Sequence, residues 1–111
     1  MAKRYANKEH LSWVHEFRCC LSTFDTEASP VRPKCNGYVQ AHHLMRPWNG
    51  YRGMGLKAND KNLIPLCMAH HNALHARGDE LAYFEEITGN SDFGKSVAES
   101  LWRISPFNEK D

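Results

Sequence analysis

The nine residues at positions 67–75, CMAHHNALH, contain one cysteine and three histidines. Their helical composition, followed by Gly78, predicts a helix that ends at this glycine. On such a helix His71 and His75 are four residues apart and project from the same face, so both imidazoles can reach one ion. His70 is rotated by about 100° from His71 and faces elsewhere. The spacing therefore predicts that one helix supplies ligands to two separate metal sites.

The four cysteines indicate a structural zinc site. Cys67 and His70 form a Cys-x-x-His pair of the kind that opens a zinc site. Cys35, followed by Asn-Gly, resembles the second half of another knuckle, and either Cys19 or Cys20 supplies the fourth ligand, with Cys19 preferred. One structural Zn²⁺ on three cysteines and one histidine would stabilise a small domain. The alternative is that the cysteines are buried apolar residues.

The pair of histidines His71 and His75 needs a third ligand, and the predicted strand YVQAHHLM can supply it. Adjacent residues on a strand point to opposite sides, so His42 and His43 should not both bind the same ion. One of them can bind the metal while the other approaches the reacting group. The alternative is a structural role for these histidines.

The pattern of elements predicts an α+β fold in one domain, residues 1–111. A helix is expected at about 8–17 with Asn7 as its N-cap, and two amphipathic helices are expected at about 79–88 and 91–104. KNLIPLC is expected to form a second strand, with Pro65 at its end or on an edge. The glycine-rich loop between the strands is expected to be exposed.

Charge is distributed unevenly along the chain. Residues 31–61 contain six basic residues and one acidic residue, whereas residues 79–111 contain eight acidic and three basic residues. This division favours a polyanionic partner at the basic, histidine-rich part, although charges can also segregate by chance. No apolar run is long enough to span a membrane, and the polar N-terminus is not a secretory signal, so a cytoplasmic protein is expected.

The complete pattern, with two histidine pairs, a Gly-x-Gly-x-Lys loop and Pro-Leu-Cys before the second pair, resembles the HNH endonuclease superfamily. It is particularly similar to small phage and prophage nucleases, which implies a bacterial or phage-infected host cell. The resemblance covers about residues 19–89 and implies a ββα-metal fold, a hairpin followed by a helix around one divalent ion. It implies these roles: His42, His71 and His75 as metal ligands, His43 as general base, and Asn62 as the residue that braces the hairpin loop and orients the base. Cys67 and His70 match a zinc knuckle usually written Cys-x-x-Cys, so a histidine replaces its second cysteine.

The resemblance implies hydrolysis of DNA phosphodiester bonds by a monomer or homodimer. The catalytic ion is expected to be Zn²⁺, Ni²⁺, Co²⁺, Mn²⁺ or Mg²⁺, of which Mg²⁺ is the least suited to imidazole ligands. Arg46, Arg52 and Lys57 are candidate DNA contacts through phosphates, and Trp48 and Tyr51 could lie against sugar or an unstacked base or simply pack the loop. The alternative function is a non-catalytic, zinc-stabilised nucleic-acid-binding module. A toxin- or recombination-associated nuclease is a third hypothesis with the same chemistry.

Overall fold

The computed structural model describes residues 5–24, 33–50 and 57–108. In this part of the chain the helices are α1 (Lys8–His15), α2 (Met68–Arg77), α3 (Glu80–Thr88) and α4 (Phe93–Ile104), and the strands are β1 (Val39–His43) and β2 (Leu63–Cys67). Two 3₁₀ turns, Ser22–Phe24 and Asp60–Asn62, follow α1 and precede β2. The predicted α+β class is confirmed, with helices on either side of an antiparallel hairpin in the sequence.

The hairpin pairs β1 with β2 so that Val39 lies opposite Cys67 and His43 opposite Leu63. All five residues of β2 are buried. Pro65 lies in the middle of β2, and its carbonyl accepts a hydrogen bond of 2.9 Å from the backbone N–H of Cys20. The N–H and C=O positions of one residue in an antiparallel strand point to the same side, so proline removes no bond to β1 here. The predicted edge location is therefore correct, although Pro65 is not at the end of its strand.

The hairpin continues into α2 without a loop, because Cys67 is both the last residue of β2 and the N-cap of α2. The backbone N–H of Met68 donates to the carbonyl of Tyr38 at 3.0 Å, and that of Ala69 donates to Asn36 at 3.1 Å. These bonds hold the segment before β1 against the first turn of α2. Gly37 has φ +84°, and a Cβ added there would lie 2.8 Å from the Cβ of Met68. The close approach therefore requires glycine.

The buried side chains lie between the hairpin and the helices. The largest apolar ones with almost no exposure are Leu21, Leu44, Leu63, Ile64, Leu66, Leu74, Tyr83 and Phe84. The side chain of Asn7 caps α1, as predicted, by accepting from the N–H of His10. α1 ends two residues before the predicted boundary, with Glu16 as its C-cap. Helix α2 ends at Gly78 in the left-handed conformation, and Asp79 caps α3.

The length and hydropathy of the helices bear on membrane insertion. Within residues 5–24, 33–50 and 57–108, none of them is long and apolar enough to cross a bilayer.

Candidate metal centres

The first candidate centre is the cysteine cluster, formed by Cys19, Cys35, Cys67 and His70, whose ligand atoms all lie within 4.8 Å of one another. Nδ1 of His70 lies 3.1 Å from Sγ of Cys67, 3.5 Å from Sγ of Cys19 and 3.6 Å from Sγ of Cys35. In a tetrahedral zinc site with ordinary bond lengths, sulfur and nitrogen ligands are about 3.5 Å apart. The cluster could therefore hold a metal ion.

The chemistry of the cluster also fits a cation. Burial raises the pKa of the Cys19 thiol, while hydrogen bonds from the backbone of Cys67 and Leu21 act in the opposite direction. A buried thiolate is stable only beside positive charge, and three sulfurs with one imidazole are ligands that Zn²⁺ favours. Three parts of the chain meet here, since Cys19 follows α1, Cys35 precedes β1, and Cys67 and His70 lie at the junction of β2 and α2.

The structure distinguishes the two adjacent cysteines that the sequence left as alternatives. Cys19 is in the cluster, whereas Cys20 packs against the apolar core and its backbone N–H donates to Pro65. Burial raises the pKa of the Cys20 thiol well above its ordinary value. Cys20 is therefore a partly buried apolar residue of the core and not a ligand, so the alternative interpretation of the cysteines applies to Cys20.

The second candidate centre is the histidine cluster, formed by His42, His71 and His75, whose nitrogens lie within 4.8 Å of one another. Nε2 of His71 is 3.2 Å from Nε2 of His75, as their spacing on α2 predicts. The His42 ring centroid is 5.3 Å from that of His71 and 5.8 Å from that of His75. Burial and then the nearby His42 and His75 lower the pKa of His71, so this imidazole is neutral near pH 7. Neutral imidazole is the form that binds metals, so the donor set fits a divalent cation.

A buried carboxylate holds His42. Nε2 of His42 lies 3.0 Å from Oε1 of Glu80, which is 3% exposed. Glu80 also accepts from the backbone N–H groups of Met45, at 3.2 Å, and Arg46, at 2.9 Å. Nothing in the sequence distinguishes Glu80 as a partner of His42, because an acidic residue in the first turn of a helix is ordinarily explained by the favourable interaction of its charge with that helix terminus. An imidazole that binds a metal through one nitrogen ordinarily donates a hydrogen bond from the other. The need for such an acceptor beside His42 is the signal that could have indicated a carboxylate such as Glu80.

A second buried carboxylate holds His43. Nε2 of His43 lies 2.7 Å from Oδ1 of Asp60, whose Oδ2 accepts from the backbone N–H of Asn7 at 2.8 Å. The two adjacent histidines therefore point to different elements, His42 toward α3 and His43 toward the 3₁₀ turn before β2. This divergence follows from the alternation of side chains along β1. Sequence spacing could not identify Asp60 as the partner of His43.

Asn62 is fully buried and holds the loop that follows β1. Its Oδ1 accepts from the backbone N–H groups of Trp48, at 2.8 Å, and Asn49, at 3.1 Å. Its Nδ2 donates to the carbonyl of Asn49 at 3.0 Å. Asn62 thus lies where it braces this loop, while the carboxylate in contact with His43 belongs to Asp60.

The side chains proposed to contact DNA differ in their surroundings. Trp48 packs against the apolar core and its Nε1 donates to the carbonyl of Lys61 at 2.8 Å, which agrees with the loop-packing alternative. Arg46 and Lys57 are exposed. Arg52 and Tyr51 lie outside the described residues. Among the described residues, Arg46 and Lys57 are therefore the proposed phosphate contacts that are accessible to solvent.

The fold and the cysteine cluster define the class of the protein, a small α+β protein with a cysteine–histidine site that could hold a metal ion. The chain belongs to the family described as a protein of unknown function, DUF968, whose profile matches residues 1–93. It is similar to the uncharacterized protein YdfU of Escherichia coli (strain K12), with 31% identity over 88 residues, or 79% of this chain. The match covers 20% of the length of YdfU. No solved structure matches the chain.

Proposed function

We propose that this chain is a metal-dependent endonuclease of the HNH superfamily, which hydrolyses phosphodiester bonds in DNA. The observation that carries the proposal is the arrangement around β1 and α2. Three imidazoles, those of His42, His71 and His75, offer nitrogens that lie within 4.8 Å of one another. One of them, His42, is next in sequence to a fourth histidine, His43, whose ring contacts a carboxylate. A hairpin that leads directly into the ligand-bearing helix is the architecture that the ββα-metal fold requires.

His42, His71 and His75 are the residues that would hold the catalytic ion. When bound, a divalent cation acts as a Lewis acid that stabilises the negative charge developing on the phosphate and the leaving oxygen. Imidazole ligands suit Zn²⁺, Ni²⁺, Co²⁺ and Mn²⁺, whereas Mg²⁺ prefers oxygen ligands. His75 is exposed and His42 is buried, so a substrate would approach from the side of α2.

His43 would act as the general base. A carboxylate can only accept a hydrogen bond, so the contact with Asp60 places the proton of the neutral imidazole on Nε2. Nδ1 is then the nitrogen that takes a proton from the attacking water, and Asp60 stabilises the imidazolium that results. The second oxygen of Asp60 accepts from the N–H of Asn7 and so keeps the carboxylate in place.

Arg46 and Lys57 are the described candidates for phosphate contacts, and Arg52 is the third proposed contact. Arg46 follows the metal-binding end of β1 by three residues, and its backbone N–H is fixed by Glu80. Guanidinium and ammonium groups on phosphates supply affinity without sequence recognition, so binding should weaken strongly with salt. The cysteine cluster would hold a structural Zn²⁺ that stabilises the fold and takes no part in cleavage.

A plasmid-nicking assay tests the proposal, with Mg²⁺, Mn²⁺, Co²⁺, Ni²⁺ or Zn²⁺ added singly to the wild type. We expect cleavage with at least one of these ions. We expect the His43→Ala variant to lose about 10²- to 10⁴-fold in rate, the usual contribution of a general base, with its metal content unchanged. His15→Ala is the matched control, because His15 lies on α1 with Nδ1 3.2 Å from the carbonyl of Val39 and outside both clusters.

Three results would count against parts of the proposal. Cleavage by His43→Ala at the wild-type rate would exclude His43 as the base. DNA binding without cleavage for every ion would favour the non-catalytic nucleic-acid-binding module. Cleavage of RNA but not of plasmid, linear or single-stranded DNA would show that the substrate is RNA and not DNA.

A further inference from the structure

Glu80 has an unusual environment for a carboxylate. It is the first residue of α3 and it is 3% exposed. Among the described residues, its carboxylate accepts hydrogen bonds from one imidazole and two backbone N–H groups. Burial of a carboxylate is costly unless its charge is compensated. The compensation must come from the hydrogen-bond donors and from positive charge nearby, and the histidine cluster is the candidate location for that charge.

The contact with Glu80 determines which nitrogen of His42 is available to a metal. Because Glu80 accepts from Nε2 of His42, the proton of the neutral ring lies on Nε2 and the lone pair on Nδ1. His71 and His75 differ in this respect, since their Nε2 atoms are the ones that face each other at 3.2 Å. The cluster would then combine one Nδ1 ligand with two Nε2 ligands.

We infer that Glu80 is a positioning residue of the histidine cluster, which fixes the tautomer and orientation of His42 so that Nδ1 binds the cation. A carboxylate on the distal N–H of a ligating imidazole also makes that imidazole a stronger ligand. The inference deepens the proposed function in that it concerns the same metal site. It does not depend on the site cleaving DNA.

The same carboxylate connects the metal site to a third element. Glu80 accepts from the backbone N–H groups of Met45 and Arg46, the segment that follows β1. Helix α3 lies outside the hairpin and the helix α2 that together supply the ligands. Its first residue nevertheless fixes both a ligand and the backbone of Arg46, so α3 is part of the metal site and not only of the core.

The first experiment measures metal affinity with Co²⁺, after one equivalent of Zn²⁺ has loaded the cysteine cluster. We expect Glu80→Gln to weaken Co²⁺ binding about 10- to 100-fold, the usual effect of losing such a carboxylate. Glu85→Gln is the matched control, since Glu85 is an exposed residue of the same helix, and it should bind Co²⁺ like the wild type. Equal affinity of Glu80→Gln and the wild type, with both folded by circular dichroism, would overturn the inference.

The second experiment needs no variant and so does not depend on the stability of one. Histidine ¹⁵N–¹H correlation spectra of the Zn²⁺-loaded wild type report which ring nitrogen of His42 carries the proton. We expect a protonated Nε2 and a metal-bound Nδ1. A metal-bound Nε2 would overturn the inference. Because both readouts concern metal binding, a protein that binds Co²⁺ as expected but does not cleave DNA would contradict the proposed function alone.

Discussion

At the scale of single residues, His10 is a buried histidine that belongs to neither cluster. It is fully buried, its Nδ1 lies 2.9 Å from Oγ of Ser105, and its ring packs edge-on against Trp102 with centroids 4.9 Å apart. Its Nε2 is buried without a hydrogen-bond partner in the described part of the chain. Protonation would place a charge on this nitrogen. Burial therefore lowers the pKa of His10, while the negative charge of Asp60 acts in the opposite direction.

The lowered pKa of His10 predicts a loss of stability in acid. The unfolded chain takes up a proton near the ordinary pKa of 6.5, before the folded chain does. The contribution of neutral His10 to the free energy of unfolding is therefore fully present above pH 6.5, and it is lost as the pH falls through the lower, folded-state pKa. We expect the Tm of the wild type to fall more steeply between pH 7 and pH 5 than that of His10→Asn. Asparagine can keep the bond to Ser105 and does not titrate.

Thermal unfolding followed by circular dichroism at several pH values measures this difference. Comparison of the two proteins cancels the titration of groups that they share, among them His71. Parallel pH profiles for the wild type and His10→Asn would contradict the prediction.

At the scale of elements, the approach of the Cys35 segment to α2 depends on Gly37. We expect Gly37→Ala to lower the free energy of unfolding by about 1–3 kcal/mol, because the new Cβ would meet Met68 and the positive φ disfavours alanine. It should also weaken Zn²⁺ binding, since Cys35 lies two residues before the glycine. Urea denaturation and competition with a chromogenic chelator measure the two effects.

Gly89→Ala is the matched control for Gly37→Ala. Gly89 has φ +82°, but nothing lies within 4 Å of an added Cβ. The free energy of unfolding of Gly89→Ala should fall by about 1 kcal/mol because of backbone strain, and the variant should keep the wild-type affinity for Zn²⁺. Equal Zn²⁺ affinity of Gly37→Ala and Gly89→Ala would show that the segment does not need this close approach.

Features of the elements that depend on local spacing could be predicted from the sequence. Helical geometry alone separates Cys67 and His70 from His71 and His75, and the cap residues Asn7 and Gly78 mark helix ends. What could not be predicted depends on contacts between distant segments. Whether Cys19 or Cys20 enters the cluster depends on a bond from Cys20 to Pro65, and the partners of His42 and His43 lie 38 and 17 residues away.

At the scale of the whole molecule, the two clusters should differ in their effect on stability. The cysteine cluster joins three separate parts of the chain, whereas two of the three ligands in the histidine cluster lie on one helix. We expect Cys67→Ser to lose the structural Zn²⁺ and to lower the Tm by more than about 10 °C, or about 2 kcal/mol. We expect His75→Ala to lose the second ion with a change of less than about 3 °C, because His75 is exposed.

Metal content by mass spectrometry of the intact protein and Tm by scanning calorimetry measure both effects. The wild type should bind two ions in the presence of excess Zn²⁺, and each variant should bind one. An unchanged Tm and Zn²⁺ content in Cys67→Ser would remove the structural zinc from the proposal.

The direct passage from β2 into α2 has a consequence for the tolerance of this segment to insertions and deletions. Each residue of a helix turns the chain by about 100° and advances it by about 1.5 Å. One residue inserted between His70 and His71 would leave the cysteine cluster intact but would turn His71 and His75 away from His42. One inserted between Cys67 and His70 would instead separate the two ligands of the cysteine cluster. Related chains that keep both clusters should therefore have the same number of residues from Cys67 to His75, whatever substitutions they contain elsewhere on this helix.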